Sequence, residues 1–210
     1  MTSEAFLYYR GLTFLYSTTY KPVSSRAFGI SDTDRLLAKK ADDGAIVYKM
    51  ELRAATEQDA DEILAIYNGE VLSSAATFDL VPRTLEEQIE WLRAHLGAYP
   101  ALVGVDDGQV VGFASLSPYR PRPAYSTTTE DSIYIKQGYR GKGLGKVLLG
   151  EIVSLAKIHG FHTIIARINA SHEASIALHS SLGFSKVGIE REIGRKFGKW
   201  QDVMIMQLLL

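Results

Sequence analysis

Glycines at positions 138, 141, 143 and 145, interleaved with Arg140, Lys142 and Lys146, fall between a strand-like run, "DSIYI", and an apolar helix-like run that starts at Leu144. Glycine weakens the interiors of both strands and helices, so clustering at such a junction needs a cause. Consecutive main-chain N–H groups at a helix start can converge on one anion, with the positive end of the helix dipole behind them. Glycines let a phosphate approach the backbone, and basic side chains add charge. The spacing is not that of a P-loop: Gly145-Lys146 supplies its end, but the required first glycine is Arg140 and the required hydroxyl is Val147. A dinucleotide fingerprint also fails, because its third glycine falls on Lys146 or Leu148. What remains is Arg140-x-x-Gly143-x-Gly145, which as residues alone is either an anion cradle or a glycine-rich connector.

Four other side chains have chemistry to offer. Glu130, just before "DSIYI", reads as a general base or as a solvated carboxylate at a strand start. His179, inside "IALHSSLGF", reads as an acid, an orienting group, or a satisfied half-buried histidine. Arg120 has the fork that grips a carboxylate, and the alternative for it and for Lys196 is a solvated loop charge. His159, His162, His172 and His179 show no metal-ligand spacing. The chain has no cysteine, which removes thiol nucleophiles and disulfides, disfavours structural zinc, and fits a reducing cytoplasm. A net charge of −1 gives no global field to recruit nucleic acid or an anionic membrane. Arg191, Arg195, Lys196 and Lys199 cluster, but without a wider basic surface. No apolar run approaches the ~18 residues of a membrane span. The N-terminal "AFLYYRGLTFLY" is split by Arg10 and has neither a basic lead nor a clean cleavage site, so no secretion signal is expected.

The elements that must position these groups read as α/β from residue 51. "MELRAA" predicts a short strand. Thr56 with Asp59, and Thr84 with Glu87, mark two helix starts; Ile63, Ile66 and Tyr67 recur at helical spacing in the first, and Ile89, Leu92 and Leu96 in the second, which Gly97 should stop. "ALVGV", "DDG" and "QVVGFASL" predict a hairpin on an Asp-Gly turn. A loop with Pro and Arg follows, from Pro118 to about Thr129, and then the strand "DSIYI". Leu144, Val147, Leu148, Ile152 and Leu155 form the buried stripe of a helix ending near His159. "HTIIARI" predicts a strand, "HEASIALHSSLG" a helix ended by Gly183, and "FSKVGIEREI" with "WQDVMIMQLLL" an antiparallel pair. The order implies a mixed sheet rather than a purely parallel one. Residues 1–48 carry no chemical motif; Ser31 or Asp32 would cap one short helix in "SDTDRLLAKKADDG". The working domain is expected over 49–210, with 1–48 an extension or an over-long gene start.

Arg140-Gly-Lys-Gly-Leu-Gly145 resembles the coenzyme A signature, Q/R-x-x-G-x-G/A, of the GCN5-related N-acetyltransferases (GNAT). With "TTTEDSIYI", "NASHEASIALHSSLGF" and "RKFGKWQDVMIMQL", the likeness extends over about 51–210 and is to the phosphinothricin and methionine sulfoximine acetyltransferase branch. The resemblance implies a mixed, splayed sheet flanked by helices. It implies acetyl-CoA as cosubstrate and no metal. It places the diphosphate on the amides of Gly141, Lys142, Gly143, Leu144, Gly145 and Lys146, with Arg140 also at the cofactor, and the pantetheine arm along Ile133, Tyr134 and Ile135, with Ser175 and His172 also at the cofactor. His172 stands where the branch usually has Asn, which changes the shape and charge at that contact. Glu130 takes the position of the base and His179 that of a catalytic histidine; Phe78, Arg120, Tyr125, Asp131, Ser132 and Lys196 fall at or beside acceptor-contacting positions. The implied reaction is direct acetyl transfer, in a ternary complex, to the α-amine of a small amino acid or analogue by a cytoplasmic homodimer. Alternatives are acetylation of protein N-termini or polyamines, which Arg120 argues against for the latter, and a non-catalytic acyl-CoA sensor.

Overall fold

The computed structural model describes residues 50–210 and, by their backbone, three strands before them: β1 (Ser3–Tyr9), β2 (Leu12–Thr18) and β3 (Arg35–Leu37). From Met50 the order is β4 (Met50–Ala54), a 3-10 turn (Glu57–Asp59), α1 (Ala60–Ser73), α2 (Leu85–Ala94), β5 (Ala101–Asp106), β6 (Gln109–Pro118), a second 3-10 turn (Pro123–Tyr125), β7 (Thr128–Ile135), α3 (Leu144–Ile158), β8 (Thr163–Asn169), α4 (Glu173–Ser180), β9 (Ser185–Lys196) and β10 (Lys199–Leu209). All strands join one sheet in the order β1-β2-β3-β4-β5-β6-β7-β8-β10-β9. Among these pairings only β7 with β8 is parallel. This is the mixed, helix-flanked sheet anticipated above. The short helix expected after Ser31 or Asp32 does not form at Arg35–Leu37, which pairs instead with β2 and β4. Sheet partners on both sides outweigh a local capping signal; the remainder of that stretch lies outside the described residues.

Both sheet faces are covered. On one, Ile63, Tyr67 and Val71 of α1 and Leu92 of α2 pack on Val103, Val110 and Phe113. On the other, Leu144, Leu148, Ile152 and Leu155 of α3 pack on Leu102, Val111, Leu116 and Ile164. These four α3 side chains are at most 3 % exposed, while Val147 of the expected stripe is only partly buried, and each fully buried one contributes about 1.5–3 kcal/mol by leaving water. Gly160 (φ 79°) ends α3: Phe161 N–H donates to the Ala156 carbonyl and Gly160 N–H to that of Lys157. Gly183 (φ 92°) ends α4 in the same way. Asp107 and Gly108, at φ 49° and 78°, make the expected hairpin turn. A second such turn, Phe197-Gly198 at φ 51° and 74°, joins β9 to β10.

Two expectations need correction. α2 stops at Ala94, before Gly97, because His95 leaves the helical conformation (φ −97°, ψ 39°); Leu96 is therefore 58 % exposed and not on the buried face. Thr56 leads into a 3-10 turn rather than directly into α1. There Asp59, 4 % exposed, accepts from both Arg53 guanidinium nitrogens at 2.7 Å and from Thr56 N–H at 2.8 Å. Burial opposes its charge, but Arg53 and Thr56 prevail and hold the carboxyl below its usual range. A depressed carboxyl stabilises the fold at every pH above the ordinary carboxylate range and loses that contribution as pH falls through its own lowered value. Asp59→Ala should cost about 2–4 kcal/mol near neutral pH by urea unfolding, and the gap to the native chain should narrow in acid.

The feature that makes the site is a split in the sheet. β7 pairs with β8 only from Thr128 to Glu130, whereas β6 runs beside β7 as far as Ile135. β8 meanwhile stays paired with β10 along its whole length. Beyond Glu130 the two parallel strands part, leaving one edge of residues 131–135 open. Lys136 N–H donates back to the Val111 carbonyl, so by alternation the main-chain polar groups of Ile133 and Ile135 face the open edge.

Candidate active site

Two adjoining cavities occupy this split. One, of about 340 Å³, runs from the glycine loop along Ile133, Tyr134 and Ile135 to His172, Ser175 and Leu178. The other, of about 320 Å³, is walled by Thr77, Phe78, Glu130, Asp131 and Ser132, by Arg167 and Asn169 of β8, and by His179. Ala76, Ile133, Tyr134, His172 and Ser175 line both, so the cavities meet at the open strand edge.

The first cavity has the shape of an anion cradle. Gly143 caps α3 at φ 90° and Gly141 precedes it at φ 74°, conformations that L side chains rarely adopt. The first-turn N–H groups of Leu144 and Gly145 have no carbonyl one turn behind them in the helix. Arg140, Gly141, Gly143, Gly145 and Lys146 line the cavity. Lys142 and Leu144 do not: Lys142 lies over the Tyr139 ring at 4.8 Å, and the Leu144 side chain is buried, where a Cβ added at Gly104 would come within 2.8 Å of it. Any contribution of Leu144 to an anion is therefore through its backbone. A Cβ at Gly145 would stand 3.2 Å from Leu178 and 3.8 Å from Ile133, so the absent side chain keeps the floor of the groove open. These features fit a bound diphosphate and its pantetheine arm. Arg140 donates to the Ile135 carbonyl at 3.0 Å and pairs with Glu70 of α1. His172, beside them, is held below its ordinary pKa by partial enclosure and by the Arg140 charge.

The second cavity concentrates ionisable groups. Glu130 is not ahead of β7 but within it, at the last residue that pairs with β8. It therefore stands at the vertex of the split. Burial pushes its carboxyl up; the nearby charges of Asp131 and Glu190 add to this, and those of Arg167 and Arg120 oppose it. His179, 2 % exposed, faces Asp131 Oδ2 with Nε2 at 3.0 Å and the Ser175 carbonyl with Nδ1 at 2.7 Å. Burial works against its charge, but these two oxygen acceptors raise its pKa. Tyr134 stacks on Phe113 at 5.1 Å and meets Tyr67 edge-on at 5.3 Å, and burial raises its phenol well above the usual value.

Other predicted residues lie around this cavity. Phe78 walls it, resting on Gly194, where an added Cβ would come 2.5 Å from the ring. Lys196 is not a solvated charge: it is 3 % exposed, donates to the Thr77 carbonyl at 2.7 Å, and burial lowers its pKa. The β9–β10 hairpin thus holds the Thr77–Phe78 segment in place. Gly194→Ala should push Phe78 off its seat and raise the KM for the acceptor about tenfold, with the KM for the cofactor unmoved, in steady-state assays. Arg120 and Tyr125 are not among the lining residues; both pack on Tyr119, Arg120 at 5.1 Å and Tyr125 at 5.5 Å. Arg120 nonetheless lies close enough for its charge to act on Glu130. Sequence reasoning passed over Arg167, which lines the cavity and pairs with Glu190 at 2.6 Å; its signal was a lone guanidinium inside the apolar run "IIARI". It also passed over Asn169, whose Nδ2 donates to Gln201 at 2.9 Å.

A split sheet whose open edge joins an anion cradle to a cavity with both acidic and basic side chains is an arrangement suited to a group-transfer enzyme with a phosphate-bearing donor. Residues 52–205 match the family described as an acetyltransferase (GNAT) domain. The chain is 40 % identical over 162 residues to the L-methionine sulfoximine/L-methionine sulfone acetyltransferase of Pseudomonas paraeruginosa, covering 76 % of this chain and 94 % of the relative. It is 36 % identical over 159 residues to the phosphinothricin N-acetyltransferase of Streptomyces coelicolor, covering 74 % and 93 %. The solved structure of a GNAT superfamily phosphinothricin acetyltransferase from Sinorhizobium meliloti in complex with AcCoA superposes with a TM-score of 0.74 at 40 % identity, covering 77 % of this chain and 88 % of that one. The chain belongs to the GNAT acetyltransferase family.

Proposed function

We propose that this protein is an acetyl-CoA-dependent N-acetyltransferase acting on the α-amine of a small amino acid or analogue, with 49–210 as its working domain. The observation that carries the reading is the meeting of the two cavities along Ile133 and Tyr134, which brings a thioester lying in the groove against an amine lying in the cavity. Bound acetyl-CoA would place its diphosphate on the amides of residues 141–146 and supply the acetyl group. The rest of the scheme concerns the chain's own groups. Glu130, its pKa raised at the vertex, takes the proton from the acceptor's ammonium, directly or through a water. The freed amine forms a C–N bond to the thioester carbonyl, an N–H from the open edge of β7 supports the developing oxyanion, and as the C–S bond breaks the second proton lost by the nitrogen ends on the sulfur to give the thiol, while Glu130 returns its own proton to solvent. The engaged ring nitrogens of His179 favour an orienting role through Asp131 over direct proton donation. Arg120, whose charge reaches Glu130, and Arg167, in the cavity wall, are the guanidinium groups that would meet the acceptor's carboxylate or phosphinate. With no cysteine to carry an acetyl group, transfer is direct within a ternary complex.

One observation favours a second acceptor class. Glu130 and Asp131 line the cavity and Arg120 does not, a carboxylate pair that suits a polyamine, although Arg167 and His179 in the same wall offset it. A thiol-release assay with acetyl-CoA against L-amino acids, methionine sulfone, methionine sulfoximine, phosphinothricin and spermidine separates the two. Turnover with the zwitterions at least tenfold above spermidine supports the amino-acid reading; the reverse order, or no turnover with any, sinks it.

A homodimer completes the proposal. Val187, Ile189, Ile193, Phe197 and Trp200 of the β9–β10 hairpin are each at least 47 % exposed, and β9 is the last strand of the sheet. Light scattering should return twice the chain mass, and Trp200→Glu should shift it towards the monomer. We assign the enzyme to the cytoplasm, which its lack of cysteine suits. Among the described residues, no helix is long and apolar enough to cross a membrane.

A further inference from the structure

Glu70 is out of place by charge. It belongs to α1 and to none of the motifs that mark the site, yet it lines the glycine-loop groove. A carboxylate beside an anion cradle works against binding unless a cation answers it. Arg140 answers it here, so the use of Glu70 lies in what it holds rather than in its charge. Its side chain is 12 % exposed, and both of its oxygens are engaged. Oε1 accepts from Arg140, whose Nε also donates to the Ile135 carbonyl at 3.0 Å. Oε2 accepts from Ser74 Oγ at 2.6 Å. Ser74 Oγ, with its proton directed there, accepts in turn from Ala76 N–H at 3.1 Å.

The two oxygens lead to different sites. Arg140 begins the glycine loop, and Gly141 and Gly143 after it hold left-handed backbone. Ala76 lines both cavities, and Thr77 and Phe78 after it wall the acceptor cavity. One path of hydrogen bonds therefore runs from Arg140 through Glu70 and Ser74 to Ala76. The Glu70 charge also reaches both ends. Burial dominates at His172, which the two cavities share, and at Lys196, which holds the Thr77 carbonyl, and Glu70 opposes it at each.

Such a path couples two sites when a ligand fixes one end of it. Glycine-rich backbone has the most conformational freedom to lose, and a diphosphate on the amides of residues 141–146 would take that freedom from the loop. With the loop fixed, Arg140 holds Oε1. A planar carboxylate held at one oxygen aims the other, so Oε2 stays on Ser74 and the segment from Ala76 to Phe78 keeps its place. The acceptor then meets a wall that the first ligand has already ordered.

We infer that Glu70 is a positioning residue that couples the two sites: joined through one oxygen to Arg140 and through the other to Ser74, it makes occupancy of the glycine-loop groove raise the affinity of the acceptor cavity. The inference rests on the amino-acid acetyltransferase reading and adds to it a coupling between the two substrates, which by linkage is the same whichever binds first.

The test titrates an amino acid that the native enzyme acetylates, by calorimetry, without and with saturating coenzyme A, for the native chain, Glu70→Ala and Ser74→Ala. Coenzyme A fills the groove and carries no acetyl group for the acceptor to touch. The native chain should bind the acceptor about tenfold more tightly with coenzyme A than without it, within the usual span of coupling between two sites. Each variant should bring that ratio to within about twofold of unity. Ser74→Ala, which leaves the Arg140 pair intact, should keep its affinity for coenzyme A alone within about twofold of the native value. A merely structural role would weaken both ligands and leave the ratio as it was; that result in folded Glu70→Ala overturns the inference and leaves the acetyl-transfer reading standing. Should Glu70→Ala not fold, an unchanged ratio in Ser74→Ala overturns it, because that substitution cuts the acceptor arm alone. A native ratio of one overturns it without any substitution. Failure of the native enzyme to acetylate any amino acid overturns both.

Discussion

Glu130→Gln should lower kcat by about 10²–10⁴-fold while the dissociation constant for acetyl-CoA moves by less than about twofold. The separation of effects follows from where the residue sits. Glu130 lines the proposed acceptor cavity and not the glycine-loop groove, so its loss would remove proton transfer without touching the proposed diphosphate cradle. The amide of Gln keeps the shape and the capacity to accept a hydrogen bond but cannot take a proton at any working pH. The pH profile gives an independent reading. Burial raises the Glu130 carboxyl, so its protonated, inactive form persists to higher pH than for a solvated glutamate. Turnover at saturating acetyl-CoA should climb along a basic limb as Glu130 and the acceptor amine deprotonate. A flat profile in the native enzyme would count against the base. If Glu130→Gln kept both its binding and its turnover, the residue would be a structural carboxylate at a strand junction. Retained ligand binding by a chain that never turns over would point to the acyl-CoA sensor instead.

Gly145→Val should weaken acetyl-CoA binding about 100-fold, close to 2.7 kcal/mol, with the helix still formed. A Cβ at this position already stands 3.2 Å from Leu178 Cδ2, with Ile133 at 3.8 Å and Ile135 at 3.9 Å. The two methyls of valine would press on these side chains at the floor of the groove, along which the arm of the cofactor is proposed to lie beside the first turn of α3. The φ of Gly145 is not in the left-handed region, so backbone strain is small and the effect is one of occupied space. Isothermal calorimetry with acetyl-CoA measures it, and circular dichroism checks that the fold survives. An unaffected dissociation constant would mean that the cofactor does not lie along this floor, and the cradle assignment would fall with it.

How much of this was legible beforehand depended on the range of the interaction. The Thr84–Glu87 capping box forms as expected, with Thr84 N–H donating to Glu87 at 2.8 Å and Glu87 N–H donating to Thr84 at 3.2 Å. The Asp107-Gly108 turn, the α3 stripe and the Gly183 stop also form where the sequence placed them. Each depends on residues within a few positions of one another, so local chemistry decides it. Where local signals competed with distant partners, they failed. The strand at Arg35–Leu37 replaces a plausible helix because β2 and β4 lie alongside it. Glu130 reads as a residue ahead of a strand because Thr128 and Thr129 have no alternating apolar pattern, yet pairing with Thr163 and Ile164 extends the strand through them.

The sequence by itself determined the order of elements from β4 onward, the glycine-rich turn between strand and helix at residues 140–146 and, through the resemblance of its motifs, the family and Glu130 and His179 as candidates. Only the tertiary structure decided what those candidates can do. It parts β7 from β8 after Glu130, ties His179 to Asp131 across 48 positions, buries Lys196 against Thr77 across 119, brings Arg167 into the cavity wall and leaves Arg120 outside it. The physical reason is one of distance along the chain. Capping, turns and amphipathic stripes are written in neighbouring residues, whereas desolvation and charge pairing are properties of groups that meet only when the sheet closes around them.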